Sequence, residues 1–182
     1  MRRKSLIGML VVFCLFFSSS VLADTAEEIN QKVLKALQEL YYSSPAAREL
    51  SRAAKGILVF PKVIKAGLVY GGLYGEGALL IQGKPVAYYK FIGGSYGLQA
   101  GVQTFGYALF FMTDKALAYL QKSKGWEIGV GPSIVVVDKG MAKSLTTTTA
   151  KADVYAFFFS QKGLMAGLGL QGSKITRFTP GE

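Results

Sequence analysis

Five cationic side chains crowd the stretch 48–65: Arg48, Arg52, Lys55, Lys62 and Lys65. Spacings of four and three put Arg48, Arg52 and Lys55 on one face of a helix. Lys62 and Lys65 follow Pro61 in a segment too polar at those positions to be wholly buried. A basic face beside apolar surface attracts an anionic bilayer, each Lys or Arg near the lipid contributing about 1 kcal/mol. The alternative is an ordinary solvated face. The acids Glu76, Asp114, Glu127, Asp138 and Asp153 are the other chemistry-bearing set. Two carboxyls with separated pKa values suffice for glycoside hydrolysis, but nothing in their spacing forms such a pair. Asp114 reads as a charge at a helix start, Asp138 and Asp153 as strand ends.

Two glycine-rich segments imitate phosphate loops. Gly167-Leu168-Gly169-Leu170-Gln171-Gly172 has the G-x-G-x-x-G form. That fingerprint needs a following helix and an acid about 20 residues on, whereas the short remainder of the chain reads as a strand. GGSYGLQAG at 93–101 lacks the Lys-Ser/Thr pair of a phosphate loop. With no histidine and one cysteine, a Ser-His-Asp triad, a Cys-His pair and the usual His or Cys zinc sites cannot be built. The expectation is a protein that is not an enzyme, with no cofactor, metal or catalytic residue.

The elements that position the cations begin after a leader. Arg2, Arg3 and Lys4, the apolar run from Leu6 to Phe17 and Val21-Leu22-Ala23 read as a signal peptide over 1–23. Its apolar run is too short to favour a permanent membrane helix. Cys14 lies inside that run behind Phe13, a poor setting for lipidation. Cleavage after Ala23 leaves a cysteine-free, still basic domain over 24–182, without disulfides. Export also argues against nucleic acid as a partner, since no recognised motif accompanies the charge.

Ile29, Val33, Leu37 and Leu40 recur at helical spacing, and Thr25 with Glu28 forms a capping box. Helices are expected at 26–42 and, opened by Ser44-Pro45 and closed by Gly56, at 45–54. The apolar stripe of the first helix reads as core more than as a lipid-entering face, because its charges are of mixed sign. From Ile57 the texture turns β-branched, aromatic and glycine-punctuated. Strands are expected through 57–178, including a hairpin about Gln82-Gly83-Lys84 and an alternating strand through Trp126, Ile128 and Val130. A further helix, capped by Thr113-Asp114, lies near 113–122. Composition agrees with a sheet-rich domain: 51% apolar against 18% charged, 22 glycines, and a net charge of +10 over 182 residues. The fold class is α+β: N-terminal helices packed on a curved, mainly antiparallel sheet or barrel, bent at glycines such as Gly97 and Gly167.

The run from about Ala53 to Arg177 resembles the SYLF-domain family. The pieces that carry the resemblance are AKGILVFPKVIKAGLVYGGLYGEGALL at 54–80, GGSYGLQAGVQ at 93–103 and FFMTDKALAYL at 110–120. GVGPS at 129–133 and ADVYAFFFSQKGLMAGLGLQGSKI at 152–175 complete them. The resemblance implies binding to phospholipid headgroups and, in the eukaryotic branch, actin contacts. The signal peptide and the lack of SH3 or FYVE segments argue against the actin role. The resemblance supplies no catalytic residues. The expected protein is thus a periplasmic or secreted lipid-binding domain, peripheral to a membrane. Anionic phospholipid is its expected partner, through Arg48, Arg52, Lys55, Lys62 and Lys65. A small outer-membrane β-barrel or a structural envelope protein is the alternative, opposed by the continuous apolar runs, the helices and the non-aromatic ending Thr179-Pro180-Gly181-Glu182.

Overall fold

The computed structural model describes residues 24–67, 70–96, 101–138, 140–143, 145–163 and 172–181. The leader 1–23, Gly97, Gly167 and most of the G-x-G-x-x-G run lie outside the described residues.

Helix α1 spans Ala26–Ser43. Thr25 caps it as the sequence predicts: its hydroxyl accepts from the Glu28 amide, and the Glu28 carboxylate accepts from the Thr25 amide at 2.9 Å. Ile29, Val33, Leu37 and Leu40 are buried, so the amphipathic stripe is core. Helix α2, Pro45–Ser51, starts at Ser44, whose side chain accepts from the Ala47 amide. It is shorter than the expected 45–54. Arg52 is its C-cap, and Gly56 opens the first strand instead of closing the helix. A Cβ at Gly56 would come within 3.0 Å of Leu117 Cδ1, so the glycine admits a close packing contact.

Among the described residues eight strands follow: β1 Gly56–Gly67, β2 Tyr70–Ile81, β3 Lys84–Tyr96, β4 Gly101–Phe111, β5 Trp126–Glu127, β6 Ile134–Val136, β7 Val154–Lys162 and β8 Lys174–Phe178. Helix α3, Asp114–Lys122, stands between β4 and β5. The sheet order is β5-β8-β3-β2-β1-β4-β7-β6, antiparallel except for the β6–β7 pair. It curls into a half-barrel, the α+β class expected. The β2–β3 hairpin turns on Gln82 and Gly83, both with positive φ (51° and 75°), the geometry that suits the right-handed twist of paired strands. The alternating strand expected through Val130 stops after Glu127. Gly129 and Gly131 adopt positive φ there, and the chain turns back so that the Trp126 indole donates to the Val130 carbonyl at 2.8 Å.

Pro61 lies in a central strand, where it removes a ladder donor. The strand accommodates it with a bulge: the register of β1 against both neighbours shifts between Val59 and Val63. A bulge adds one residue and inverts the inside-outside alternation beyond it. Before it, Leu58 and Phe60 face the concave core; after it, Val63 does, and Lys62 and Ile64 face outward.

The concave face is filled by aromatic rings. Tyr107 packs against Phe60, Phe91 and Phe158 at centroid distances of 6.3, 5.6 and 4.7 Å. Leu117 and Leu120 of α3, with Trp126, join this core. On the convex face α1 and α2 bury Ile57, Val59, Ala78, Leu80, Ala108 and Phe110. Each of the larger side chains among them contributes about 1.5–3 kcal/mol by leaving water.

Candidate functional site

The fold does not bring the five cations of 48–65 together. Arg48, Arg52 and Lys55 are exposed at the α2 end of the sheet. Because α2 stops at Ser51, Lys55 lies beyond the helix and shares no helical face with the arginines. The Arg48 guanidinium donates to the Tyr41 carbonyl at 3.0 Å, and Arg52 pairs with Glu49 at 2.8 Å. Arg52 and Lys55 border a cleft of about 570 Å³ whose walls include Leu37, Tyr41, Ile57 and Leu117, with Asp114 at its edge. Burial pushes the Tyr41 hydroxyl pKa up, partly offset by its hydrogen bond with Ser51.

Seven residue steps of extended chain, about 23 Å, separate Lys55 from Lys62. Lys62 is exposed on the convex face. Lys65 corrects the expectation of exposure: it is 8% exposed, on the concave face opposite Leu73 and Gln103. The bulge at Pro61 is the cause, since it turns every later odd-numbered residue of β1 inward.

The same inversion turns apolar side chains out. The helices cover only part of the convex face, and beyond them one row crosses seven strands in direct register. Its members are Glu127 on β5, Lys174 on β8, Ile92 on β3, Tyr74 on β2, Ile64 on β1, Thr104 on β4 and Lys162 on β7. Ile92, Tyr74 and Ile64 are 49%, 45% and 38% exposed, at the middle of the sheet, and Lys174, Lys162 and Glu127 towards the two ends are exposed. Directly opposed residues sit about 5 Å apart, so the three apolar side chains form one continuous strip.

The neighbouring row holds Lys62, Glu76 and Lys90. Glu76 accepts from the Tyr74 hydroxyl and faces the Lys90 ammonium at 3.8 Å. Lys90 also lies 4.5 Å from the Phe178 ring centroid. Glu76 is thereby engaged, and the exposed Glu127 on β5 stands directly opposite Lys174, so carboxylates are interspersed with the cations Lys62, Lys162 and Lys174 on this surface. Tyr74 is pushed up to about 12, first by burial and then by its hydrogen bond with Glu76 and nearby negative charge. Sequence reasoning missed this strip. Pro61 inside a strand was the available signal, because a central-strand proline implies a bulge and a bulge reverses the faces.

No described helix is long and apolar enough to cross a membrane. Residues 92–179, from the end of β3 through β8, match the family model Ysc84, described as a Las17-binding protein actin regulator. No curated protein matches the chain.

Proposed function

We propose, for a chain whose residues 92–179 belong to the SYLF-domain family, that it is a non-enzymatic, exported domain that docks on the surface of anionic phospholipid membranes. The observation that carries this reading is the convex strip Ile64-Tyr74-Ile92 with Lys174 on one side of it, Lys162 on the other and Lys62 in the neighbouring row. Cations draw the domain to a negative surface over about 8 Å of Debye length at physiological salt. Exposed apolar side chains, one of them a tyrosine suited to the headgroup level, then hold it there. Arg48, Arg52 and Lys55 form a separate cluster on the far side of α1 and add long-range attraction. The leader read in the sequence supports an exported, periplasmic location. The family description names a protein-binding actin regulator, and a protein occupant of the strip is the competing reading.

Flotation with phosphatidylglycerol-containing vesicles tests the proposal. The exposed pair Ile64→Glu and Ile92→Glu should abolish flotation while the melting temperature stays near that of the parent. If the double variant floats like the parent, the strip is not the lipid contact.

A further inference from the structure

The residues that the bulge turns inward form a second row, at the same level as the lipid strip but on the opposite face. Lys65 stands opposite Gln103 on β4 and Leu73 on β2, and Leu73 stands opposite Gly93 on β3. A Cβ built on Gly93 would come within 2.2 Å of Ser173 Oγ, so Ser173 occupies the place that any larger residue at 93 would take. Opposed side chains lie about 5 Å apart and strands about 4.8 Å apart. Gln103 therefore borders Lys65, and the Ser173 hydroxyl, reaching over Gly93 from three strands away, lies about 10 Å from the Lys65 position across two strand spacings, beyond Leu73.

Two of the three groups have a polar atom withdrawn from water and unanswered. Lys65 is 8% and Ser173 0% exposed. Ser173 Oγ and Gln103 Oε1 are buried with no hydrogen-bond partner. The ion pairs among the described residues, Lys32–Asp24, Arg52–Glu49 and Lys90–Glu76, leave Lys65 out. Glu76 is opposite Lys62 and so belongs to the other face. Two orphaned buried polar groups are costly unless something compensates them, and the cationic Lys65 chain lies on the same face with no ion-pair partner among the described residues. Packing alone would favour an apolar residue at each position.

We propose that Lys65, Gln103 and Ser173 bind an oxyanion, a carboxylate or a phosphate group, inside the half-barrel. The Lys65 ammonium supplies the opposite charge and the Ser173 hydroxyl donates a hydrogen bond. Gln103 donates through its amide nitrogen once the amide is turned over, a rotation that leaves its shape unchanged. Phe105 and Phe91 line the next level down the same face, so an apolar chain attached to the anion would meet aromatic side chains.

Titration calorimetry of the mature protein with inorganic phosphate, with decanoate and with decanol tests this. At least one anion should bind at a single site, decanol should bind at least tenfold more weakly than decanoate, and Lys65→Met should weaken anion binding at least tenfold. Binding of phosphate alone would identify a phosphate site, and binding of decanoate alone a site for a carboxylate amphiphile. Ser173→Ala, expected to weaken binding severalfold, keeps the test open if the Lys65 variant does not fold. The Ile64→Glu, Ile92→Glu protein should bind the anion normally, which separates this site from the membrane strip. Absence of binding by both anions, or undiminished binding by Lys65→Met, would overturn the proposal.

Discussion

At the scale of single residues, two glycines in neighbouring strands separate necessity from permissiveness. A Cβ at Gly77 would lie 2.1 Å from the Val59 carbonyl oxygen, a backbone atom beside the β1 bulge, whereas one at Gly94 meets nothing within 4 Å. Gly77→Ala is therefore expected to destabilise by roughly 1–3 kcal/mol, as overpacking does. Gly94→Ala should be neutral or stabilise by about 0.4–1 kcal/mol, by restricting the unfolded chain. Urea midpoints of the two variants measure the contrast. The tyrosines set the alkaline limit. Burial raises the pKa of Tyr107, Tyr89 and Tyr41, with Arg177 partly opposing it at Tyr89, and Tyr74 rises to about 12. The folded chain keeps these protons when the unfolded chain begins to release them, near pH 10. Their contribution is complete below that pH and is lost as pH climbs through the folded values. Thermal melting should fall above about pH 10, less steeply in Tyr107→Phe.

At the scale of elements, α3 depends on one hydroxyl more than its length suggests. Thr113 accepts from the Ala116 amide and donates to Asp153 Oδ1 at 3.1 Å, tying the helix start to the residue before β7. Nine residues are too few for a helix to persist alone, so this tie and the burial of Leu117 and Leu120 hold it. Thr113→Ala should cost about 1 kcal/mol, within the range for lost N-caps, and Thr113→Ser should recover most of it in thermal melts. The bulge at Pro61 works at the same scale. It removes the conflict between proline and the ladder, and it determines which side chains of β1 meet solvent.

For the whole molecule, the half-barrel separates two cationic regions with α1 between them. Arg52→Glu with Lys55→Glu should weaken vesicle binding modestly at low salt and have little effect at high salt, because exposed charges act only within the screening length. The Ile64→Glu, Ile92→Glu protein should fail at both. Sedimentation at two ionic strengths distinguishes these behaviours. Intact mass of the exported product should begin at Asp24; an uncleaved terminus would remove the location argued from the leader.

Signals carried over short spans were legible without a structure. The stripe Ile29-Val33-Leu37-Leu40, the Thr25–Glu28 capping box, the Gln82-Gly83 turn and the Thr113 cap each follow from a few adjacent residues, and the α+β class follows from their order. The family resemblance over 92–179 was legible for the same reason, as ordered strings. The end of α2 was not, because Gly56 is governed by the approach of Leu117 from α3. Nor was the placement of Lys65 and Ile64. Alternation from Leu58 and Phe60, carried forward without interruption, sends Ile64 inward and Lys65 outward, and the structure does the reverse. One extra residue at Pro61 shifts the phase of a two-residue period, and it does so by register with β2 and β4, strands that lie elsewhere in the chain. Residue types were therefore written in the sequence, but the face each one serves was decided by tertiary pairing.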